Sequence, residues 1–242
     1  MNILTSKHSK ESSIALGEAL NCAVYNPYQE GFYRGNTLAN GPNFNLGCSN
    51  TPFSNLLNQP SYIYMCVDKI ATFNLLKQHD VLTVPWTRDK SVAQGWLDSD
   101  RIIVNRATTT GKANEGLSYS YKGLEDVVDV PLSDDAVIWT RYVNHTGELR
   151  AYTFKNKPPL IFQKVDVSGQ WLFKPIRPTA KLVEYVGRSQ AAFSGLMFAA
   201  FDILECVTGD FYTLECNSAP SLLVSDAIIP RLVNTIKESA GL

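Results

Sequence analysis

The sequence predicts an α+β fold, in which helices pack against mainly antiparallel strands. Two observations favour this class. Short apolar or alternating runs recur in closely spaced groups with turn signals between them, and helical apolar spacing is confined to a few separate stretches. The chain has 242 residues, 45% of them hydrophobic, which suffices for one sizeable core, arranged as one large domain or as two small lobes.

Composition excludes several classes of protein. Lys and Arg number 22 and Asp and Glu number 23, a formal net charge of −1, so we expect neither nucleic acid nor a membrane surface as a partner. Asp202 interrupts the longest apolar stretch, and the N-terminus MNILTSKHSK lacks an apolar segment of secretory length. Five cysteines without a CxxC pair favour reduced thiols and a cytoplasmic protein.

The first half of the chain predicts helices on either side of a loop-rich segment. Residues 1–20 have the apolar spacing of a short helix, whereas residues 25–60, rich in Asn, Gly, Pro and aromatics, predict ordered loops around one or two short strands or, alternatively, a disordered linker. A helix is predicted over residues 68–77, with Asp68 as its N-cap. The next predicted elements are a short strand, a helix and two strands at 81–85, 91–96, 101–105 and 117–121.

The second half of the chain predicts two groups of strands separated by a helix. Turns are expected at NHTG and KNKPP, and Gly209-Asp210 marks the turn of the last hairpin. The predicted strands are 136–143, 149–154, 160–165, 198–204 and 211–215, and the predicted helices are 181–196 and 226–240.

The last predicted hairpin carries polar residues inside apolar strands. Glu215 and Asn217 are two residues apart and should share a face of their strand, and a turn near Gly209 would bring Asp202 opposite them. Two carboxylates and an amide oxygen are ligands suited to Mg²⁺. In the alternative interpretation Asp202 caps a turn and Glu215 lies exposed at an edge. Cys216, between the two, should face the core.

This hairpin resembles the metal-binding end of the ATP-grasp superfamily. The three polar residues, followed by Ser218-Ala219-Pro220, match the spacing found in D-alanine–D-alanine ligases and RimK-type glutamate ligases. Residues 68–85 resemble the opening helix and strand of that family, and residues 46–60 resemble the lead-in of ATP-grasp proteins from bacteriophages and of related spore-associated proteins. The resemblance extends from about residue 45 to residue 242.

The resemblance implies two lobes with antiparallel sheets that clasp ATP. A short N-terminal region at residues 1–65 would precede an ATP-grasp domain at 66–242, with lobes at about 66–130 and 131–242. The implied activity is ligation of a carboxylate to an amine through an acyl phosphate, with release of ADP and phosphate. The implied cofactors are ATP and Mg²⁺, or Mn²⁺ in its place, and the implied substrate is an amino acid, a peptide or a protein terminus. An oligomer is compatible with this interpretation, as is a host-cytoplasmic location if a bacteriophage encodes the chain.

The resemblance also implies the roles of individual residues. Asp202, Glu215 and Asn217 would be the metal ligands, and Lys69 would be the first phosphate- or adenine-side lysine, unless it is an ordinary solvated helix lysine. Residues 139–143 lack the acidic residue that relatives usually carry before the hinge, so the preference between adenine and guanine stays open.

Three further residues match the family on the predicted central strands. Glu148 matches the acceptor of ribose hydroxyl groups, and Arg150 matches an arginine near the phosphates or the substrate carboxylate, where a bidentate guanidinium fits. Lys164 could contact phosphate. The alternative for Glu148 and Arg150 is a surface cross-strand pair.

The sequence departs from the family where most relatives carry a phosphate-contacting lysine. Alignment puts Asn105 at that position, and Arg106 can substitute for the lysine only if the strand ends or bulges there. We expect Arg106 to reach the phosphates, with Lys112 in the following loop as a mobile contact. Two other functions stay open: an ATP-binding regulatory or adaptor module without ligase activity, which the Asn105 departure favours, and a kinase on the same scaffold.

Overall fold

The computed structural model describes residues 1–6, 9–27, 42–51, 53, 55–110 and 116–242. Its elements in chain order are β1 (Ile3–Thr5), α1 (Lys10–Leu20), β2 (Val24–Tyr25), β3 (Asn43–Leu46), β4 (Leu56–Leu57), α2 (Pro60–Val67), α3 (Lys69–Gln78), β5 (Trp86–Thr87), α4 (Lys90–Asp100), β6 (Ile102–Arg106), β7 (Leu117–Tyr121), β8 (Ile138–Arg141), β9 (His145–Phe154), β10 (Lys157–Val167), β11 (Gln170–Pro175), α5 (Ala180–Ala192), β12 (Phe198–Cys206), β13 (Phe211–Asn217) and α6 (Ile228–Ala240).

The largest sheet has five strands in the order β11-β10-β9-β12-β13, with every neighbouring pair antiparallel. Because side chains alternate between the two faces of a strand, each face has its own core. One face packs on α5 and on α2 and α3, through residues that include Leu149, Ile161, Phe201, Ile203 and Cys216. The antiparallel arrangement and the helices on this face confirm the α+β prediction.

The opposite face of the same sheet packs against the N-terminal part of the chain. Tyr152, Phe154, Phe162 and Phe198 contact a core that includes residues of α1, α6 and the N-terminal strands. Those strands form a four-stranded sheet, β2-β1-β3-β4, in which every pairing is parallel. This parallel sheet was not expected from the sequence, since strands of two to four residues are too short to show a pattern.

A third sheet, β5-β8-β6-β7, is antiparallel and packs on α4. A small core that includes Phe73, Ile138 and Leu204 joins this sheet and α3 to the five-stranded sheet. Close to this core in sequence, the backbone N–H of Thr213 donates to Leu82 O at 3.0 Å, and this bond connects residues 82–83 to β13. The β5-β8-β6-β7 sheet therefore stands beside one end of the five-stranded sheet.

Most predicted elements occur close to the predicted positions, with four differences. Residues 1–20 begin with a strand before α1, and residues 81–85 make an isolated bridge at Thr83 in place of a strand. The turn expected at NHTG is wrong, because β9 already starts at His145 and the connection occupies residues 142–144. Most of KNKPP belongs to β10, where a register shift between Lys157 and Leu160 accommodates two prolines that cannot donate hydrogen bonds.

The segment after β13 is held against the N-terminal sheet. Gly47 follows β3 with φ of +86°, and a Cβ atom there would lie 2.6 Å from Ala219 Cβ. Only glycine adopts this backbone conformation at no cost and also allows so close an approach. Residues 218–220 are therefore fixed directly after Asn217. No helix among the described residues is long and apolar enough to cross a membrane.

Candidate functional site

Charged side chains interrupt the face of the five-stranded sheet that packs against the N-terminal strands. Arg150 lies two residues before Tyr152 on β9, and Asp202 lies two residues after Ala200 on β12. Both therefore share the face of the sheet whose core contains Tyr152 and Ala200. We call the following residues the ion-pair cluster: Lys69, Arg106, Glu148, Arg150, Lys164, Asp202, Glu215 and Asn217.

Asp202 and Arg150 form a largely buried, bidentate ion pair of the cluster. They are direct neighbours across β9 and β12, and Arg150 Nε and Nη2 donate to the two Asp202 carboxylate oxygens at 2.6 and 2.7 Å. Asp202 is only 3% exposed. Burial of a carboxylate is costly unless it is paired, and a bidentate guanidinium is its best partner. Burial acts to lower the Arg150 pKa, but the hydrogen bonds and charge of Asp202 outweigh it and raise that pKa.

Lys164 links this pair to Glu148. Its ammonium donates to Glu148 Oε1, directly across from it on β9, and lies 3.4 Å from Asp202 Oδ2. Two aromatic residues of β11 flank the cations: Lys164 Nζ is 4.9 Å from the centroid of Trp171, and Arg150 Cζ is 5.2 Å from that of Phe173. Cations over aromatic faces are attracted by the ring quadrupole. These two aromatic residues were not expected at the site from the sequence, because residues 170–175 carry no clear strand pattern.

Glu215 and Asn217 lie on β13, on the same side as Asp202. Glu215 is the cross-strand neighbour of Asp202, and Asn217 is that of Ala200, so the predicted hairpin register is confirmed. Asn217 Nδ2 donates to Glu215 Oε1 at 3.0 Å, and Lys69 Nζ donates to Glu215 Oε2 at 3.1 Å. Burial acts to raise the Glu215 pKa, but the charge of Lys69, the Asn217 hydrogen bond and the charge of Arg150 outweigh it and lower that pKa.

The start of α3 positions Lys69. Asp68 caps the helix by accepting from the backbone N–H of Ala71 at 2.9 Å, as its sequence position predicted. Its second oxygen accepts from the Thr109 hydroxyl at 2.9 Å, and the backbone N–H of Lys69 donates to Thr109 O at 2.9 Å. These contacts hold the loop after β6 against the residue that binds Glu215.

Asn105 and Arg106 lie on opposite faces of β6 at its C-terminal end. Asn105 is 2% exposed and donates from Nδ2 to the Ser120 hydroxyl at 2.8 Å, so its side chain is committed to the interior of the β5-β8-β6-β7 sheet. Arg106 ends the strand, and its buried Nε has no hydrogen-bond partner within the described part of the chain. Burial lowers the Arg106 pKa, and the negative charge of nearby Glu215 partly opposes this effect.

The ion-pair cluster has more positive than negative groups. Its four cations are Lys69, Arg106, Arg150 and Lys164, against three carboxylates, which leaves a formal excess of one positive charge. Both candidate metal-binding carboxylates are already engaged by cations. A buried orphan donor and an excess of cations are features of an anion site.

The candidate metal ligands fit Mg²⁺ only together with further oxygen donors. Among the described residues, no group of three or more His, Cys, Asp and Glu side chains is arranged to hold a metal ion. Asp202, Glu215 and the Asn217 amide supply hard oxygen atoms on two neighbouring strands, which leaves other positions of an octahedral ion for phosphate oxygens and water. The donor set therefore fits a magnesium ion that arrives with a phosphate ligand.

The structure brings eight of the nine predicted site residues together. Lys112 lies outside the described residues. Trp171 and Phe173 were not expected at the site from the sequence, and neither was the contact between Asp68 and Thr109. The last two residues are 41 positions apart, so no local pattern indicates that they meet.

Comparison with known proteins identifies the fold. No protein-family model and no curated protein matches the chain. The ATP-grasp ligase PsnB, solved with a minimal precursor, Mg and ADP, matches with a TM-score of 0.73 at 11% identity, covering 98% of this chain and 96% of that one. D-cycloserine synthetase DcsG matches with a TM-score of 0.69 at 15% identity, covering 99% of this chain and 100% of that one.

A third solved structure is the macrocyclase MdnC from Microcystis aeruginosa MRC, bound with its precursor peptide MdnA. It matches with a TM-score of 0.65 at 10% identity, covering 100% of this chain and 99% of that one. Each of these proteins is matched over nearly its whole length, although the sequence identities are only 10% to 15%. The resemblance suggested by the hairpin residues is confirmed at the level of the fold: the chain has the ATP-grasp fold.

Proposed function

We propose that this protein is an ATP-dependent carboxylate–amine ligase, which forms an amide bond through an acyl phosphate and releases ADP and phosphate. The observation that carries the proposal is the ion-pair cluster, in which four cations alternate with three carboxylates within an ATP-grasp fold and leave an excess of positive charge. Such a set suits a triphosphate whose charge must be neutralised as a phosphoryl group is transferred.

Asp202, Glu215 and Asn217 would hold Mg²⁺, or Mn²⁺ in its place, bound together with ATP. The metal would neutralise negative charge on the phosphate oxygens. Lys69 and Arg150, which engage the two carboxylates, would then be available to bind phosphate oxygens themselves. Exchange of a carboxylate partner for a phosphate keeps each cation paired, so it adds no unpaired buried charge.

Arg106 and Lys164 would complete the binding of the phosphates, and Lys112, which lies outside the described residues, is proposed as a further phosphate contact. Arg106 Nε is a buried donor without a partner in the described residues, so a phosphate oxygen would satisfy it. Glu148 would accept hydrogen bonds from ribose hydroxyl groups on the side away from Lys164. The backbone of the 139–143 segment would contact the purine base.

The proposed reaction has two displacements. A carboxylate oxygen of the substrate attacks the γ-phosphorus, and the bond from that phosphorus to the ADP oxygen breaks. An amine then attacks the acyl carbon, phosphate leaves, and the amine proton passes to solvent or phosphate. Arg150 would orient the substrate carboxylate or the transferred phosphoryl group, for which a planar guanidinium is suited.

The substrate class that we propose is an amino acid, a peptide or a protein terminus. Solved structures of two similar proteins, PsnB and MdnC, hold precursor peptides, whereas DcsG is a D-cycloserine synthetase. The fold therefore accommodates both peptides and small molecules as substrates in other proteins.

We also propose the division into lobes. The β5-β8-β6-β7 sheet would form the first lobe and the five-stranded sheet the second, after an N-terminal region that ends near residue 65. Since β8 pairs with β6, the connection between the lobes would lie at residues 142–144, later than the position near residue 130 expected from the sequence.

A non-ligating ATP-binding module is the second candidate function. It is favoured by Asn105, which takes the place of the usual phosphate lysine and is hydrogen-bonded away from the ion-pair cluster. Release of ADP that requires both a carboxylate and an amine would exclude this function. Nucleotide binding without any such release would support it.

The test of the proposed function compares Glu215→Gln with Glu184→Gln, a matched substitution at an exposed position of α5. With Mg²⁺ and ATP or ADP, the wild type and Glu184→Gln should unfold at a higher temperature than without nucleotide, because the ligand binds only the native state. Glu215→Gln should lose this shift. A panel of acids and amines is then screened for ADP release, and an equal shift in all three proteins would refute the metal site.

A further inference from the structure

Two cysteines meet directly behind the ion-pair cluster. Cys66 lies one residue before the end of α2, and Cys216 lies on β13 between Glu215 and Asn217. Their sulfur atoms are 3.3 Å apart, with the Cys66 thiol donating to Cys216 Sγ. Cys216 is 2% exposed, whereas Cys66 is only partly buried.

We propose that Cys66 and Cys216 form an oxidation site, which hydrogen peroxide or another hydroperoxide converts into a disulfide. The peroxide first oxidises the Cys66 thiol to a sulfenic acid and is itself reduced, hydrogen peroxide to water and an organic hydroperoxide to its alcohol. The Cys216 thiol then attacks the sulfenic sulfur, the sulfur–sulfur bond forms, and the sulfenic oxygen leaves as a second water with the remaining thiol proton.

The geometry needs little rearrangement for this reaction. A disulfide bond is about 2.05 Å long, so the two sulfur atoms must approach by roughly 1.3 Å. Cys66 can supply this movement, because α2 ends at Val67 and the backbone is already extended at Asp68. The remaining cysteines, Cys22, Cys48 and Cys206, make no described contact with another sulfur. Disulfides in reducing compartments are mostly transient and redox-sensing. Such a disulfide needs one thiol that the oxidant can reach, which is Cys66.

The disulfide would act on the neighbouring residues of β13. Cys216 faces the helical core while Glu215 and Asn217 face the ion-pair cluster. Whatever part of the approach Cys66 does not supply therefore pulls Cys216 towards α2 and moves Glu215 and Asn217 away from Asp202. The ladder has a register shift between Asp202 and Ile203, directly beside Glu215, where β13 can shift most easily. This consequence rests on the proposed function, whereas the oxidation site does not.

The test of the site is chemical and uses the full chain. After treatment with a small excess of hydrogen peroxide, the intact mass of the protein should fall by that of two hydrogen atoms. A non-reducing digest should contain the two peptides linked through Cys66 and Cys216. Dithiothreitol should reverse both changes. Cys66→Ser should prevent the mass loss, with Cys66→Val as a second variant if the serine protein does not fold. Cys22→Ser, the matched control, should react like the wild type. Absence of the linked peptide from oxidised wild type would overturn the proposal.

The functional consequence is measured separately by calorimetry with Mg²⁺ and ADP. The oxidised protein should bind at least about tenfold more weakly than the same protein after reduction, since small displacements of positioned groups carry costs of that order. Equal affinities would refute the coupling of the disulfide to Glu215. If the reduced protein binds no nucleotide, the proposed function fails, while the linked peptide still decides the oxidation site.

Discussion

Replacement of Arg150 by methionine tests how the buried carboxylate of Asp202 is held. The substitution keeps most of the side-chain volume and its contact with Phe173 but removes both hydrogen bonds, of 2.6 and 2.7 Å, to Asp202. The side chains of Arg150 and Asp202 are 17% and 5% exposed, so water cannot readily replace the lost donors. Lys164 Nζ, 3.4 Å from Asp202, stays as the remaining cation beside the carboxylate.

The expected loss of stability follows from this geometry. Removal of one partner of a buried ion pair commonly costs about 3–5 kcal/mol, because a buried charge is left without compensation. Since Lys164 offsets part of that charge, we expect Arg150→Met to lower the free energy of unfolding by about 3 kcal/mol. The double variant Arg150→Met/Asp202→Asn should be more stable than Arg150→Met alone, because it also removes the uncompensated charge.

The chain offers a matched control with similar geometry and greater exposure. Arg141 makes a bidentate pair with Asp100 at 2.5 and 2.7 Å and lies 5.9 Å from the ring centroid of Trp96. The two side chains of this pair are 41% and 19% exposed. Exposed ion pairs contribute little, so Arg141→Met should cost no more than about 1 kcal/mol.

Urea unfolding at neutral pH, followed by circular dichroism, measures both effects. The slope of the free energy of unfolding against urea concentration should be the same in the wild type and the variants. Equal losses in Arg150→Met and Arg141→Met would refute the reasoning, since burial would then not distinguish the two pairs. A double variant less stable than Arg150→Met would refute the explanation by uncompensated charge.

Three further predictions concern the ion-pair cluster. Mg²⁺ alone should not raise the unfolding temperature, because the carboxylates of Asp202 and Glu215 are already paired with cations. Mg²⁺ together with ATP should raise it. An equal rise with Mg²⁺ alone would contradict the role given to phosphate. The lowered pKa of Glu215 contributes stability that is present above the unfolded pKa of about 4.5 and is lost as the pH falls through the lower folded pKa, so acid urea titrations should destabilise the wild type more steeply than Glu215→Gln. Parallel curves would show that Glu215 does not contribute. Glu148→Ala should raise the KM for ATP roughly tenfold, the loss of one charge-assisted hydrogen bond, and an unchanged KM would remove Glu148 from the ribose site.

Local patterns in the sequence predicted many elements, because the residues that indicate each of these elements lie within it or next to it in the chain. The helix cap at Asp68, the strand at 117–121 and the hairpin that aligns Asp202 with Glu215 depend on neighbouring residues and on strand alternation. Features that depend on contacts between distant parts of the chain were missed, because no local pattern indicates them. The parallel N-terminal sheet joins strands of two to four residues, and β11 is an edge strand whose side chains are mostly exposed.

The sequence by itself determined which residue types could bind a metal and phosphates, and the face of the final hairpin that carries them, since a strand places every second side chain on one side. Only the tertiary structure decided how those charges are paired. Arg150 meets Asp202 because β9 lies beside β12, and Lys69 meets Glu215 because α3 packs against β13. It likewise decided that Asn105 is bonded inside its sheet while Arg106 keeps a buried donor without a partner in the described residues. Partners far apart in sequence are chosen by the packing of sheets and helices, which no local pattern records.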